Sequence, residues 1–343
     1  MHTNRVFPAE WAPQSAVAFT FPHKDSDWAD DLDKVIPTFV EIITIVSKHE
    51  KALIVCADVD AVRSLLPEAD ADNLILVELP SNDTWARDHS AITVLEDGEF
   101  VLIDFIFNGW GLKFAANKDN LITKGLRTKG IFREIPVETH GLAIEGGALE
   151  SDGLGTLMTT TECLLSPNRN PHLNREETEF GLMEILGAGR VLWLENGYLE
   201  GDDTDSHIDT LARFTSPDTI AYVRCQEEND VHYHALKSME DELKAFTQTN
   251  GQPYNLVPLP MAPARFHYED GHRLPSTYAN FLIINEAVLL PVYGDEEKDR
   301  IAEDAMKICF PDRHIYSIDC NSLILQHGSL HCITMQFPKS VIY

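Results

Sequence analysis

Four polar stretches recur at regular intervals along this chain, and their spacing limits the folds that it can adopt. The stretches surround Asp88, Glu145, His207 and Cys332. Asp88 and Glu145 are 57 residues apart, and His207 follows Glu145 after 62. Cys332 follows after a further 125, which is close to two such steps, and a similar stretch at residues 267–285, HYEDGHRLPSTYANFLIIN, fills the gap. The spacing predicts five structural repeats around a shared centre.

Short apolar runs typical of strands follow one another along the chain, among them AVAFTF, NLILVEL, RVLWLE and NFLIIN. Helical patterns lie between such runs at residues 31–49, 174–189, 230–246 and 295–310. Asn174 followed by Glu177 predicts a capping box at the start of one of these helices. The chain contains neither a GxGxxG nor a Walker sequence, which argues against a nucleotide-binding doubly wound fold. Because no linker or shift in composition interrupts the pattern, we expect one α/β domain over residues 1–343.

The charge balance narrows the range of partners. The chain carries 55 acidic and 27 basic residues, which gives a formal net charge of −28 with histidine neutral. Such a charge disfavours nucleic acids and anionic membranes and favours encounter with a small cation. No apolar run approaches the roughly 20 residues needed to cross a bilayer. The first residues, MHTNRVFPAEWAPQ, lack the pattern of a signal peptide, so a cytoplasmic protein is expected.

The cysteines form neither a zinc-binding pattern nor a compact disulfide framework. They are Cys56, Cys163, Cys225, Cys309, Cys320 and Cys332, and no two are spaced as a CxxC pair. We expect the first five to be small buried hydrophobic residues. The acidic stretch from Asp203 resembles the start of a calcium loop, but Ile208 and Phe214 occupy the positions of its glycine and glutamate. No bound metal is therefore expected.

The polar stretches together supply a thiol, a histidine, a glutamate and two aspartates, and this set suits one kind of substrate. Because side chains alternate along a strand, His207 and Asp209 in HIDT should point to the same side. Two carboxylates can hold a planar, cationic guanidinium through paired hydrogen bonds and leave its central carbon open to attack. A thiolate beside that cation and a histidinium would have a lowered pKa, as a nucleophile needs. Histidine can protonate the departing nitrogen and later take a proton from water.

The same residues lie in motifs that resemble a known family. The motifs occur in order across nearly the whole chain: FPHKDSDW, TWARDHSAITV, EGGALESDGLGTLMTTTECLLSPNRNP, WLENGYLEGDDTDSHIDTLARF, RLPSTYANFLIINEAVLLPVYGD and HGSLHCITMQFP. Together they resemble the agmatine deiminase and bacterial-type peptidylarginine deiminase group of the guanidine-modifying superfamily. The resemblance implies an α/β fold, a five-bladed pseudo-symmetric propeller of ββαβ-like units around a central site. It also implies an enzyme that uses neither metal nor cofactor.

The resemblance implies catalytic roles for three residues. Cys332 is similar to the family's nucleophile and His207 to its general acid and base. Glu145 resembles either the partner of that histidine or a guanidinium ligand. The implied reaction converts agmatine and water to N-carbamoylputrescine and ammonia through a thiouronium on the cysteine, which is a step in putrescine formation.

Four further residues resemble substrate-binding positions of the family. Asp88 and Asp209 are similar to a clamp on the guanidinium, Trp85 to a residue that lines the substrate channel, and Asp203 to an acidic position that recognises the substrate. Asp203 is one methylene shorter than the glutamate usual there. Two other departures are the sequence His89-Ser90-Ala91 after the RD pair, where the family has a Thr-Gly-Pro-like turn, and the single Gly328 before HC.

These departures leave the substrate tail open. Peptidyl-arginine or free arginine are alternative substrates, and an amidinotransferase or a binding protein without catalysis are alternative functions. The family resemblance allows a homodimer, for which the sequence itself carries no signal. His331 should point away from Cys332 if both lie in a strand, so it is not expected to be the base. His89 and His327 lie near the site stretches without an assigned role.

Overall fold

The computed structural model describes residues 5–343, which form a mixed α/β fold. The strands are β1 Arg5–Val6, β2 Gln14–Thr20, β3 Lys51–Cys56, β4 Leu74–Glu78, β5 Ile92–Glu96, β6 Glu99–Ile106, β7 Val137–Ala143, β8 Glu150–Ser151, β9 Thr156–Thr160, β10 Arg190–Leu194, β11 Ala212–Ser216, β12 Thr219–Arg224, β13 Asn255–Pro260, β14 Arg265–Phe266, β15 Arg273–Leu274, β16 Leu282–Ile284, β17 Ala287–Val292, β18 His314–Asp319 and β19 Thr334–Pro338. The helices are α1 Leu32–Ser47, α2 Val59–Ser64, α3 Ala86–His89, α4 Gly109–Leu112, α5 Ile122–Thr128, α6 Thr161–Leu164, α7 Arg175–Leu186, α8 Tyr233–Ala245 and α9 Glu296–Cys309.

Five sheets of three or four strands repeat one arrangement. Their strand orders are β19-β2-β3-β4, β1-β5-β6-β7, β8-β9-β10, β11-β12-β13 and β16-β17-β18. In each sheet two strands pair antiparallel, and the second pairs in parallel with a third strand that follows a helical crossover. This order agrees with the predicted ββαβ repeat. In the first sheet, β19 from the end of the chain pairs with β2 near its start.

The helices begin and end where local side-chain chemistry favours it. The predicted capping box is confirmed at α7, where the Asn174 side chain accepts from the backbone N–H of Glu177 at 3.0 Å. The Glu177 carboxylate accepts from the backbone N–H of Asn174 at 2.9 Å. The helix ends at Gly187, whose φ of 74° favours glycine. The Asp295 side chain caps the start of α9 by accepting from the backbone N–H of Lys298 at 3.1 Å.

The core consists of two hydrophobic clusters on opposite faces of the first sheet. Val17 and Phe19 of β2 belong to one cluster, and Ala16 and Ala18 belong to the other. All four side chains are buried, because strand side chains alternate between faces and β2 is covered on both. Within residues 5–343, no helix combines the length and the apolar character that a membrane span requires.

Candidate active site

Five loops meet at one site, and each lies directly before the first strand of one of the five repeated sheets. They carry Asp88 before β5, Glu145 before β8, His207 and Asp209 before β11, Asn280 before β16 and Cys332 before β19. The regular interval between the polar stretches thus reflects the regular return of the chain to one place. The fifth stretch, which the spacing located without indicating a functional residue, supplies Asn280.

The thiol of Cys332 lies between an amide and a carboxylate. Its Sγ is 3.3 Å from Oδ1 of Asn280 and 4.0 Å from Oδ2 of Asp209, and the residue is 5% exposed. Burial, followed by the negative charges of Asp209 and Asp88, raises the pKa of Cys332 well above its usual value. The lowered pKa that the sequence predicts for a thiolate therefore depends on a cation beside it, because burial and the two carboxylates outweigh the hydrogen bonds that would lower the pKa of Cys332.

Two buried aspartates lie beside the thiol, and their hydrogen bonds differ. Oδ1 of Asp88 accepts from the backbone N–H of Gly147 at 3.0 Å, and its Oδ2 accepts from Nε1 of Trp110 at 2.9 Å. Burial raises the pKa of Asp88 to about 6. In Asp209, Oδ2 accepts from Nδ1 of His331 at 2.7 Å, while the buried Oδ1 has no hydrogen-bond partner within residues 5–343.

The pKa of Asp209 moves in the other direction. Burial would raise it, but the hydrogen bond from His331 and the positive charges near the carboxylate outweigh burial and lower it. Asp209 therefore stays ionised at neutral pH, whereas Asp88 titrates at about pH 6. The pair presents one firmly charged and one titratable carboxylate on either side of a cation placed at the thiol.

His207 is fully buried, and neither ring nitrogen is hydrogen-bonded to a described residue. Its Nδ1 is 3.7 Å from Oδ1 of Asp88. His207, Glu145 and Cys163 lie close together, since one side-chain nitrogen, oxygen or sulfur atom from each is within 4.8 Å of those of the other two. Burial would lower the pKa of His207, but the carboxylate of Asp88 and its other anionic neighbours raise it well above its usual value. A protonated imidazole at this place can serve as an acid.

The prediction that HIDT (residues 207–210) forms a strand is wrong. Ile208–Thr210 form a short 3₁₀-helix, and β11 begins only at Ala212. The hydroxyl of Thr210 donates to the carbonyl of His207 at 2.8 Å, which closes the turn and competes with an extended backbone. His207 and Asp209 nevertheless reach the same site, because the turn folds them both around the backbone of Gly147.

Glu145 has a partner that the sequence reasoning did not identify. Nε of Arg169 donates to both carboxylate oxygens of Glu145, at 3.0 and 2.8 Å. Nη1 and Nη2 of Arg169 donate to Oδ2 of Asp205 at 2.6 Å and to the carbonyl of Thr204 at 2.8 Å. The only sequence signal for this arginine was its place in the SPNRNP motif. Glu145 therefore lies beside His207 as the anionic half of a buried ion pair.

Two glycines make room for the site. A Cβ on Gly147 would lie 2.5 Å from Nδ1 of His207, 2.9 Å from Oδ1 of Asp88 and 3.2 Å from Oδ2 of Asp209. A Cβ on Gly328 would lie 2.1 Å from the ring of Trp85. The glycines in EGG and HGS are therefore required by close approach of functional side chains to the backbone.

A narrow cleft leads from solvent to Cys332. The residues that line it include three aromatic and four acidic side chains, which are Trp85, Trp110, Phe114, Asp27, Asp83, Asp88 and Asp203. Burial raises the pKa of Asp83 to about 7 and that of Asp203 to about 6. No lysine or arginine is among the described residues that line the cleft. Such a cleft suits an elongated ligand with a cationic end.

Trp110 reaches the cleft from a strained segment. The residues of α4 all have positive φ, from 54° at Trp110 to 82° at Gly111, so α4 is a left-handed turn. For Trp110 and Leu112 this conformation costs about 1 kcal/mol or more each. The turn brings the indole N–H of Trp110 to Asp88, and strain of this kind is typical of functional segments. The sequence offered no pattern for this contact.

The structure thus brings together the seven residues singled out from the sequence. Cys332, His207, Asp88 and Asp209 surround one point, Glu145 lies behind the histidine, and Trp85 and Asp203 line the cleft. Their chemical roles remain predictions. The residues that sequence reasoning did not identify are Asn280, Arg169 and Trp110.

Comparisons with known proteins point to a group of deiminases. A family model described as Porphyromonas-type peptidyl-arginine deiminase matches residues 6–338. A crystal structure from Porphyromonas gingivalis, of a protein provisionally named an arginine deiminase, is 52% identical, covers 99% of this chain and 100% of that chain, and superposes with a TM-score of 0.94. An agmatine deiminase variant of C. jejuni, solved with substrate bound, is 35% identical, with coverages of 98% and 97% and a TM-score of 0.91. A Legionella pneumophila protein provisionally named an agmatine deiminase is 33% identical over 97% of this chain and 94% of that protein.

Proposed function

Because the chain belongs to the Porphyromonas-type peptidyl-arginine deiminase family, we propose that it hydrolyses a guanidino compound with release of ammonia. We propose agmatine as the substrate and N-carbamoylputrescine as the product. The observation that carries the proposal is that the Cys332 thiol lies beside the buried carboxylate of Asp209 and lines the same cleft as the buried carboxylate of Asp88. That arrangement suits a planar cation and disfavours a neutral amide substrate, which would leave both charges uncompensated.

In the proposed mechanism, binding of the substrate activates Cys332 as the nucleophile. A guanidinium held by Asp88 and Asp209 neutralises the charges that raise the pKa of Cys332, so the thiol can lose its proton to solvent. The thiolate adds to the guanidinium carbon. His207, protonated because its neighbours raise its pKa, donates a proton to the nitrogen that departs as ammonia. An S-alkylthiouronium on Cys332 remains.

The second half of the reaction uses the same groups in reverse. His207, now neutral, takes a proton from water, and the hydroxide adds to the thiouronium carbon. The bond between carbon and Sγ breaks, the departing thiolate takes up the proton of the added hydroxyl, and the neutral ureido product is released as the Cys332 thiol is restored. Glu145, tied to Arg169, supplies the negative charge that favours protonated His207 in each cycle.

The acidic cleft supports agmatine over arginine. Asp27, Asp83 and Asp203 line the path to the thiol, and no lysine or arginine is among the described lining residues. The amine of agmatine would find carboxylates there, whereas the carboxylate of arginine would meet like charge. Ionised Asp83 and Asp203 attract the amine best, and burial raises their pKa values to about 7 and about 6. The KM for agmatine should therefore fall as the pH rises through that range.

A second candidate is deimination of free arginine or a peptidyl-arginine. It is favoured by the P. gingivalis protein provisionally named an arginine deiminase, which is 52% identical to this chain, and by the description of the family. The same catalytic steps apply, so the two candidates differ only in what occupies the cleft. An amidinotransferase is the remaining alternative, and it would transfer the amidino group to an amine without releasing ammonia.

The test is ammonia release from agmatine, arginine, a blocked peptidyl-arginine and methylguanidine. Activity on agmatine that Cys332→Ala abolishes would support the proposal. Cys225→Ala is the matched control, because Cys225 is also 5% exposed and lies outside the site. Asp203→Asn should raise the KM for agmatine and leave that for methylguanidine, which has no tail, nearly unchanged. Activity on arginine or peptide alone would overturn the choice of agmatine, and no ammonia from any of the four would overturn the deiminase.

We propose further that the five repeated sheets form the blades of an α/β propeller, with residues 1–343 as one domain. The support is that each sheet has the same strand pattern and that each places the loop before its first strand at the site. Pairing of β19 with β2 would close the ring.

A further inference from the structure

His331 is adjacent to the proposed nucleophile in sequence, but the proposed mechanism does not use it. Its ring is 1% exposed, and Nδ1 lies 2.7 Å from Oδ2 of Asp209. We propose that His331 is a positioning residue, which donates from Nδ1 to one oxygen of Asp209 and so presents the other oxygen to the guanidinium. The proposal rests on the proposed function, since it assigns His331 to the binding of that substrate group.

The far side of the His331 ring is fixed by a buried ionic cluster. Nε2 lies 2.8 Å from Oε2 of Glu10 and 3.0 Å from Nη2 of Arg213. Arg213 is fully buried, and its guanidinium also donates to the carboxylates of Glu10 and Glu150. A ring held in this way on one side cannot turn without breaking contacts to charged groups in a medium of low dielectric, so its Nδ1 stays directed at Asp209.

The proton on Nδ1 decides what the ring can do. Burial, with Arg213 and Arg87 nearby, lowers the pKa of His331, so a neutral ring carries a single proton. With that proton on Nδ1, the ring donates to Asp209, and Nε2 accepts from Arg213. Glu10 is paired with Arg213, but its Oε2 also lies 2.8 Å from Nε2, so a ring protonated on both nitrogens would donate to Glu10 as well as to Asp209. Of the two neutral tautomers, the one protonated on Nδ1 serves Asp209 and lets Nε2 accept from Arg213.

The hydrogen bond from His331 makes the two oxygens of Asp209 different. Oδ2 is taken by His331, whereas Oδ1 is fully buried and has no partner within residues 5–343. A buried carboxylate oxygen without a partner is costly unless a ligand supplies the donor. Without the Nδ1 donor, the carboxylate would be free to rotate and easier to protonate, and its attraction for a guanidinium would fall.

The test uses two amides that differ in which ring nitrogen they replace. The side-chain nitrogen of asparagine can occupy the place of Nδ1, whereas that of glutamine reaches the place of Nε2. His331→Asn should thus keep the donor to Asp209, and His331→Gln should lose it. We expect His331→Gln to weaken methylguanidine binding to the Cys332→Ala chain by about tenfold or more, since the lost hydrogen bond has an ionised acceptor. His331→Asn should stay within about threefold of its parent.

Activity gives a second readout that a purely structural role would not change. In His331→Gln the acid limb of kcat/KM should move to higher pH, because the hydrogen bond that lowers the pKa of Asp209 is gone. The other charged or titratable groups that face Asp209 are Asp88, His207, Cys332, Arg213 and Arg87. They are unchanged in both variants, so a shift confined to His331→Gln reports on the donor.

His232→Asn and His232→Gln are the matched controls. His232 is also 1% exposed, and its Nδ1 lies 2.6 Å from a carboxylate oxygen of Asp230, away from the site. These two variants should bind methylguanidine alike. If His331→Asn and His331→Gln also bind alike, the positioning role is overturned even when the chain releases ammonia from agmatine. Ammonia release from no substrate overturns the proposed function, and the binding comparison still decides the role of His331.

Should His331→Gln fail to fold, the unaltered chain decides the question. In protein labelled with nitrogen-15 in histidine, a ring proton on Nδ1 of His331 supports the proposal. A ring protonated only on Nε2 overturns it, because Nδ1 would then have nothing to donate.

Discussion

Arg169→Met should destabilise the protein strongly, because it leaves a buried carboxylate without its partner. The Arg169 side chain is fully buried and donates to both oxygens of Glu145, itself 1% exposed. Removing one partner of a buried ion pair costs about 3–5 kcal/mol in the free energy of unfolding. The second acid on the guanidinium, Asp205, is 26% exposed and keeps its ion pair with Lys113 at 2.7 Å, so it adds little.

The size of the effect on melting follows from the length of the chain. Unfolding entropy is about 2.1 cal/mol/K per residue, or about 0.7 kcal/mol/K for a protein of this size. A loss of about 3–5 kcal/mol should therefore lower Tm by about 4–7 °C. Arg175→Met is the matched control, because Arg175 pairs with Glu195 while both side chains are nearly half exposed. That surface pair should contribute less than about 1 kcal/mol.

A double variant separates stability from activity. In Arg169→Met with Glu145→Gln no buried charge is left alone, so at least half of the lost Tm should return, as measured by differential scanning fluorimetry. Ammonia release should not return, because the carboxylate of Glu145 is absent beside His207. If Arg169→Met melts within about 1 °C of the parent, or if the double variant melts no higher than the single one, the buried pair does not behave as argued.

Three further predictions follow from the surroundings of the thiol and from burial elsewhere. Gly147→Ala should lower kcat by about a hundredfold, since a Cβ there would displace the catalytic groups around it by up to about 1 Å, whereas Gly141→Ala, which meets nothing within 4 Å, should have wild-type kinetics. Trp110→Phe removes a donor to Asp88 and should lower kcat/KM at neutral pH, with recovery at higher pH as Asp88 ionises; a pH-independent loss would contradict this reading. Burial raises the pKa of Asp119 from 3.8 to about 7, so its contribution to stability is complete below about pH 4 and is lost as the pH rises to about 7. Asp119→Asn should therefore show a smaller decline of the urea midpoint over that range, and parallel curves for the two proteins would refute the assignment.

The spacing of the polar stretches predicted the repeat because the number of residues between two stretches can be counted directly in the sequence. Each return to the site needs about one sheet and one crossover, so Asp88, Glu145 and His207 appear at nearly constant separation. Local signals also sufficed for helix ends, as at Asn174, where the cap and its partner lie three residues apart. Such predictions succeed where the deciding interactions are close in sequence.

Arg169 and Asn280 were missed because their partners are distant. Arg169 is 24 residues from Glu145, and Asn280 is 52 from Cys332. Arginine and asparagine are common in polar loops, so neither residue stands out in the sequence. The turn at Ile208 was missed for another reason, since alternation in four residues cannot be told from a 3₁₀-helix. Backbone N–H groups form that helix, and the Thr210 hydroxyl adds a bond to the carbonyl of His207.

The choice between agmatine and arginine rests on the cleft and not on the net charge. A charge of −28 raises the local concentration of any small cation, but its field is screened over about 8 Å at physiological ionic strength. Both compounds carry the same guanidinium, so the proposed clamp of Asp88 and Asp209 would bind them alike. Only groups within contact of the tail can separate an amine from an amino acid, and we propose Asp83 and Asp203 in the cleft for that role. Because burial holds their pKa values near neutrality, a cationic tail would both bind them and ionise them, whereas the carboxylate of arginine would favour their protonated forms. The preference for agmatine should consequently grow with pH, and a preference that is constant between about pH 6 and 8 would assign tail recognition to other residues.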